Sequence, residues 1–285
     1  MKPAAPNAPM ARAARSGRPG WPIRITLALF ILMVMGLATI LAKYLAPHDP
    51  VAINISNSLA PMSWDYPFGT DQLGRCLFSR CLYALRVTFG ASIFIAFLTI
   101  LMGSIIGMTA AYLGGLVDQI VRVASDALLA IPSMIFTLII VGFLGPGTQN
   151  IILAMLIANW VWYARVARGL TLRIREYGYV RAAKLAGTGH LGLMVWHIFP
   201  GLVTQMTTQF TLLIGTMALS LAGFSFLGIG IQPPTAELGL MISDGCELIQ
   251  THFFQMVWPS LVLILPVASL NVIGDYFTDY WRSKQ

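Results

Sequence analysis

Charge is what this sequence has least of. Asp, Glu, Lys and Arg make up 10% of its 285 residues, where a soluble domain carries about 25%. With 57% hydrophobic residues and a mean hydropathy of +0.74, this excludes an ordinary soluble fold and implies an integral membrane protein. Cysteine is scarce too. Cys76, Cys81 and Cys246 form no metal-binding pattern and are too few for a disulfide framework. All three fall in segments expected outside the cell membrane. Small apolar fillers are the favoured reading, with one disulfide involving Cys246 as the alternative. There is no GxxxxGK[ST] loop to cradle nucleotide phosphates. There is also no HExxH, no pair of intramembrane aspartates and no Ser/His pair at matching depth. A membrane-embedded enzyme is therefore a remote alternative.

What is present is a series of long apolar runs. Residues 1–21 read as a disordered basic tail, and 22–285 as one membrane domain. Expected spans cover about 23–46, 87–112, 123–144 (with Pro132 inside), 151–166, 203–227 and 257–273. The first is too long for a signal-peptide core. Gly103, Ser104 and Gly107 give the second span a small face for close packing. Arg122 and Asp126, spaced i,i+4, are expected to pair locally. Pro233-Pro234 bars regular helix in the segment from Phe226 to Gly245. The net charge of +7 is distributed by the positive-inside rule, so it calls for membrane lipid and not for nucleic acid. With both ends placed in the cytoplasm, only Lys43, Arg75, Arg80 and Arg86 of the 18 basic residues fall outside.

Two motifs stand out. The stretch from Tyr177 to Pro200 lies in a basic loop, about 167–200, between two spans. Arg181-Ala182-Ala183 is followed by three residues and Gly187, then by nine residues and His197-Ile198-Phe199-Pro200. Small residues ending at a glycine predict a helix–turn–helix knob, with Pro200 marking a later boundary. A plain membrane-surface helix is the other reading. The second motif is Phe68-Gly69-Thr70-Asp71-Gln72-Leu73-Gly74-Arg75-Cys76-Leu77-Phe78-Ser79-Arg80. Here Thr70 or Asp71 is expected to cap a helix on which Leu73, Leu77 and Phe78 share one face, lying on the bilayer.

The first motif resembles the cytoplasmic coupling loop of binding-protein-dependent ABC importers: E-A-A, three residues, G, nine residues, I-x-L-P. Ala182, Ala183, Gly187 and Pro200 match; Arg181, His197 and Phe199 depart. The second resembles the FGTDxLGRDxFSR signature of peptide and nickel importer permeases and departs only at Cys76. Gly69, Thr70, Asp71, Gly74 and Arg75 are among its matching positions.

The resemblance, to the dipeptide/oligopeptide/nickel permease C family, implies an all-α, six-helix, type I importer permease of the bacterial inner membrane. It also implies a homologous second permease, two ATP-binding subunits and an extracytoplasmic binding protein. ATP and Mg would sit on the partner ATPase subunits, with no cofactor on this chain. ATPase coupling would fall to Arg181, Ala182, Ala183, Gly187 and Pro200. Short strings such as Trp160-Val161-Trp162-Tyr163 and Gln255-Met256-Val257-Trp258-Pro259 look more like the nickel branch, with peptides as the alternative substrate. His48, Asp49 and His252 sit at two distant loop edges and do not read as a nickel site; metal ligands are left open.

Overall fold

The computed structural model describes residues 23–282; the basic tail expected over 1–21 lies outside them. Among the described residues the regular structure is helical, in nine main helices. These are α1 (Ile23–Ile40), α2 (Leu77–Leu113), α3 (Gly115–Leu129), α4 (Ser133–Leu144), α5 (Thr148–Ile174), α6 (Gly178–Leu185), α7 (His190–Phe226), α8 (Leu238–Glu247) and α9 (Phe254–Arg282). Five are long and apolar enough to cross a membrane: α1, α2, α5, α7 and α9. The sixth crossing expected from the sequence is the pair α3–α4, bent by 87° between them.

That bend corrects the uninterrupted span expected over 123–144. Pro132 has no N–H to donate and disfavours helical backbone at Ile131, so helix α3 stops at Leu129 and α4 starts again at Ser133. Helices α2, α5, α7 and α9 outrun their apolar cores, while α1 ends at Ile40, short of the run expected to 46. Helix α2 has 37 residues, about 55 Å at 1.5 Å per residue, against about 30 Å of hydrocarbon. Its first turns carry Arg80 and Arg86, which hid them from an apolar-run reading.

Helices α2, α5 and α7 form the centre. Ile95 and Ala96 of α2 meet Ile151, Ala154 and Met155 of α5 and Leu213, Met217 and Leu221 of α7 in a closed apolar cluster. The largest interface is α2 on α5, and the small face read from the sequence makes it. A Cβ on Gly107 would lie 2.1 Å from the Ala164 carbonyl oxygen, and one on Gly103 would lie 2.7 Å from the Tyr163 Cβ. No side chain fits there without parting the helices. Gly107→Ala is expected to destabilise the chain by about 1–3 kcal/mol. Gly90→Ala, with nothing within 4 Å, should be neutral or stabilising by about 1 kcal/mol. Heat-challenged, fluorescence-detected gel filtration of the two variants checks this; equal profiles would refute the packing argument.

The expected Arg122–Asp126 pair is not formed. Asp126 pairs with Arg165 on α5, and Asp118 takes Arg168 in a two-pronged contact at 2.5 and 2.6 Å. A partner on the neighbouring helix fixes α3 against α5, which a pair within one helix would not do. Cys76 and Cys81 are buried and Cys246 is exposed, all three as free thiols.

Candidate functional site

The two sequence motifs fold at opposite ends of the bundle. At one end, α6 carries the Ala-rich knob. Tyr177 precedes it in extended backbone, and Val180 is its one buried residue. Val180 packs on Ile174, Leu193, Ile198 and Leu202, which seats the knob on the ends of α5 and α7. The helix ends as its sequence predicts. Gly187 is left-handed, at φ +87°. Its N–H reaches the Lys184 carbonyl and the N–H of Thr188 reaches that of Ala183, both at 3.1 Å, closing a Schellman cap. Leu185, the last residue of α6, is 89% exposed; beyond the cap Leu191 is 78% exposed, and Trp196 is exposed as well. Arg181 folds onto Glu176 of its own chain. Hydrogen bonding to Arg181 holds the Glu176 carboxyl below the usual carboxylate range.

Pro200 corrects an expectation. The helix runs through it, from His190 to Phe226. The stretch Leu193–Ile198 widens to π geometry, with the N–H of Phe199 reaching the Met194 carbonyl. The wider turn relaxes the ladder just where the proline cannot donate. His197 sits in that widened turn, and His190 meets the Tyr112 hydroxyl at 2.9 Å.

At the other end, residues 68–76 form a tight loop in place of the expected interfacial helix, and α2 starts only at Leu77. Asp71 is its centre. One carboxylate oxygen accepts the N–H groups of Leu73 and Arg75, both at 2.9 Å, in an Asx-turn arrangement. The other meets the Arg75 guanidinium at 2.7 Å and that of Arg80 at 3.4 Å. Arg80 is 2% exposed and also bonds the Pro50 carbonyl. Thr70 receives the Ala60 N–H on its hydroxyl, and the Gln255 side chain donates to the Thr70 carbonyl. Gly74 is required by its conformation (φ +70°) and by space, since a Cβ would meet the Asn54 oxygen at 1.7 Å. Gly69 (φ +77°) presses on the Ala60 oxygen in the same way. The five signature residues named from the sequence therefore come together. The five residues expected to couple to an ATPase share one end but two helices, because Pro200 lies within α7.

One residue of this end was not singled out from the sequence. Glu237 is 0% exposed, caps α8 by accepting the Leu240 N–H at 2.9 Å, and receives the Thr88 hydroxyl of α2 at 3.0 Å. An acidic residue directly before an apolar run, after two prolines, is the cap signal that marks it. No three His, Cys, Asp or Glu among the described residues are grouped to hold a metal ion. His48 stacks on Tyr66 while His252 faces Thr251.

Residues 100–284 match the model of the binding-protein-dependent transport system inner membrane component. The chain belongs to that family. It is 37% identical over 260 residues to the nickel transport system permease protein NikC of Escherichia coli, covering 91% of this chain and 93% of that one. It is 35% identical over 265 residues to the probable D,D-dipeptide transport system permease protein DdpC of the same species, covering 93% and 89%. It is 34% identical over 259 residues to the dipeptide transport system permease protein DppC of Haemophilus influenzae, covering 89% and 88%. The chain is thus a multi-pass inner-membrane permease subunit of a peptide/nickel-type ABC importer. It is a transport component and not an enzyme.

Proposed function

We propose that this permease imports nickel, carried as a chelate, by alternating access. Its partners are a homologous permease, two ATP-binding subunits that hold ATP and Mg, and an extracytoplasmic binding protein. Both termini are cytoplasmic, and 22–285 is the permease domain. Arg181, Ala182, Ala183 and Gly187 couple it to the ATPase, with Pro200 in the helix that carries the movement onward. The observation that carries this reading is the knob itself: a short helix seated on α5 and α7, capped at Gly187, with Leu185 before the cap and Leu191 after it left bare. Bare leucines beside a basic rim need a protein groove to cover them. The signature loop at the opposite end, with Gly69, Thr70, Asp71, Gly74 and Arg75, faces the binding protein.

Nickel as substrate rests on the local strings and on the 37% identity to a nickel permease. Dipeptides are the second reading, because dipeptide permeases match at 34 and 35% identity over similar lengths. Uptake of labelled nickel in cells with and without the gene, with competing dipeptides, separates the two. Nickel uptake that disappears with the gene and ignores dipeptides is the expected result. Unchanged nickel uptake with lost dipeptide uptake would move the substrate to peptides.

A further inference from the structure

Just past the bend, the first turns of α4 meet α5 and α7 around a half-open pocket of about 250 Å³. Ser133, Asn159 and Ser220 reach it from three different helices, together with the thioethers of Met134 and Met155. No Asp, Glu, Lys, Arg or His lines it. Its polar groups have spare bonding capacity. The Asn159 amide donates to the Met155 carbonyl at 2.7 Å, which leaves its own oxygen without a donor from the chain, and the hydroxyls of Ser133 and Ser220 make no hydrogen bond within the chain.

The same is true below the pocket on α7. Gln205 and Gln209 make no side-chain hydrogen bond. By contrast, Thr204, Thr207, Thr211 and Thr216 of the same helix each bond a carbonyl one turn back. At 100° per residue, Gln205, Gln209 and Ser220 fall within about 60° of one another around α7. They form a stripe that leads to the pocket. An amide or hydroxyl without a partner is costly against hydrocarbon, so a face of this kind suits water or a solute better than lipid.

We propose that Gln205, Gln209, Ser220, Asn159 and Ser133 form a polar track for the transported solute, with the pocket at the bend as its resting point. The inference rests on the importer reading above and gives it a place and a ligand chemistry. With no carboxylate to offset a bare divalent cation, the track takes a small uncharged or zwitterionic solute rich in hydrogen-bonding groups. A dipeptide and a neutral nickel chelate share that chemistry. Side chains with spare donors and acceptors but no charge hold such a solute weakly enough to release it.

The test uses the complete transporter in nanodiscs, with Cys246→Ser as background. Gln209→Cys, Asn159→Cys and Ser220→Cys are compared with Leu37→Cys, an exposed apolar position on α1. The probe is a membrane-impermeant maleimide, applied during ATP turnover with binding protein and either dialanine or nickel bis-histidine. Thiols on the track are expected to react at least about tenfold faster than the α1 control, because they face water. One of the two solutes should slow them and so identify the source of the chemistry. Labelling no faster than at Leu37, or labelling that neither solute slows, would overturn the track. If binding protein still stimulates ATP hydrolysis in that complex, the importer reading survives its loss. If the unmutated chain shows no such stimulation, it is the importer reading that fails.

Discussion

Gly187→Asp is expected to lower uptake at least about tenfold, equivalent to about 1.4 kcal/mol of coupling, while ATP hydrolysis by the complex continues. The substitution isolates the knob's outer surface from its folding. A Cβ on Gly187 would meet nothing within 4 Å, so no packing is disturbed. The conformation, at φ +87°, disfavours side chains by roughly 1–2 kcal/mol, and Asp is among the residues that tolerate it best. What changes is charge. A carboxylate would stand at the negative end of α6, beside the bare Leu185 and Leu191. Burying it in a partner's groove costs more than the exposed leucines return. Gly187→Ala shares the backbone strain without the charge, so it should retain most uptake. Measuring transport and hydrolysis together in proteoliposomes decides the matter. Normal uptake by the Asp variant would remove the knob from the coupling path.

Asp71→Ala is expected to cost about 3–5 kcal/mol, because it strips the anion from two guanidiniums that have almost no access to water. It also frees the N–H groups of Leu73 and Arg75 that hold the loop's turn. For a chain of this size the loss corresponds to a fall of roughly 10 °C in Tm. Asp71→Asn keeps an oxygen for the turn but loses the charge, and should fall between the two. Arg80→Ala leaves Arg75 to satisfy Asp71 and should cost less than Asp71→Ala. Tryptophan fluorescence during thermal unfolding of the reconstituted complex reads all three. An Asp71→Ala variant as stable as the unmutated chain would mean that the carboxylate does not hold this end together.

The number of apolar spans and the knob were legible because each rests on local chemistry: apolar length for the spans, and a glycine after an alanine-rich turn for the cap. The small face at Gly103 and Gly107 was legible for the same reason. What failed depends on neighbours far along the chain. Arg122 and Asp126 satisfied the i,i+4 rule, but Arg165 on α5 offered a better-placed partner. Pro132 was visible, yet nothing local indicates that a proline will turn the chain by 87° and not merely kink it. The signature loop was misread as helical because Asp71 and Leu77 suit a capped helix. Their true partners, Arg80 and the Gly69 carbonyl, impose a turn first. Of the pocket at the bend, no hint lay in any single segment, since its lining comes from three helices.

The tie between Gln255 and the Thr70 carbonyl spans 185 positions, and Phe68 stacks on Trp258 with ring centroids 4.3 Å apart. A ribosome finishes the signature loop long before it makes either partner. The loop must therefore wait, unlatched, until the last helix has been inserted. Chain closure across such a separation makes this a late step of assembly. A truncation ending before Phe254 would insert its earlier spans and leave the opposite end of the bundle formed. The signature-loop end would stay open and accessible to protease, so quality control of this permease falls at the final helix.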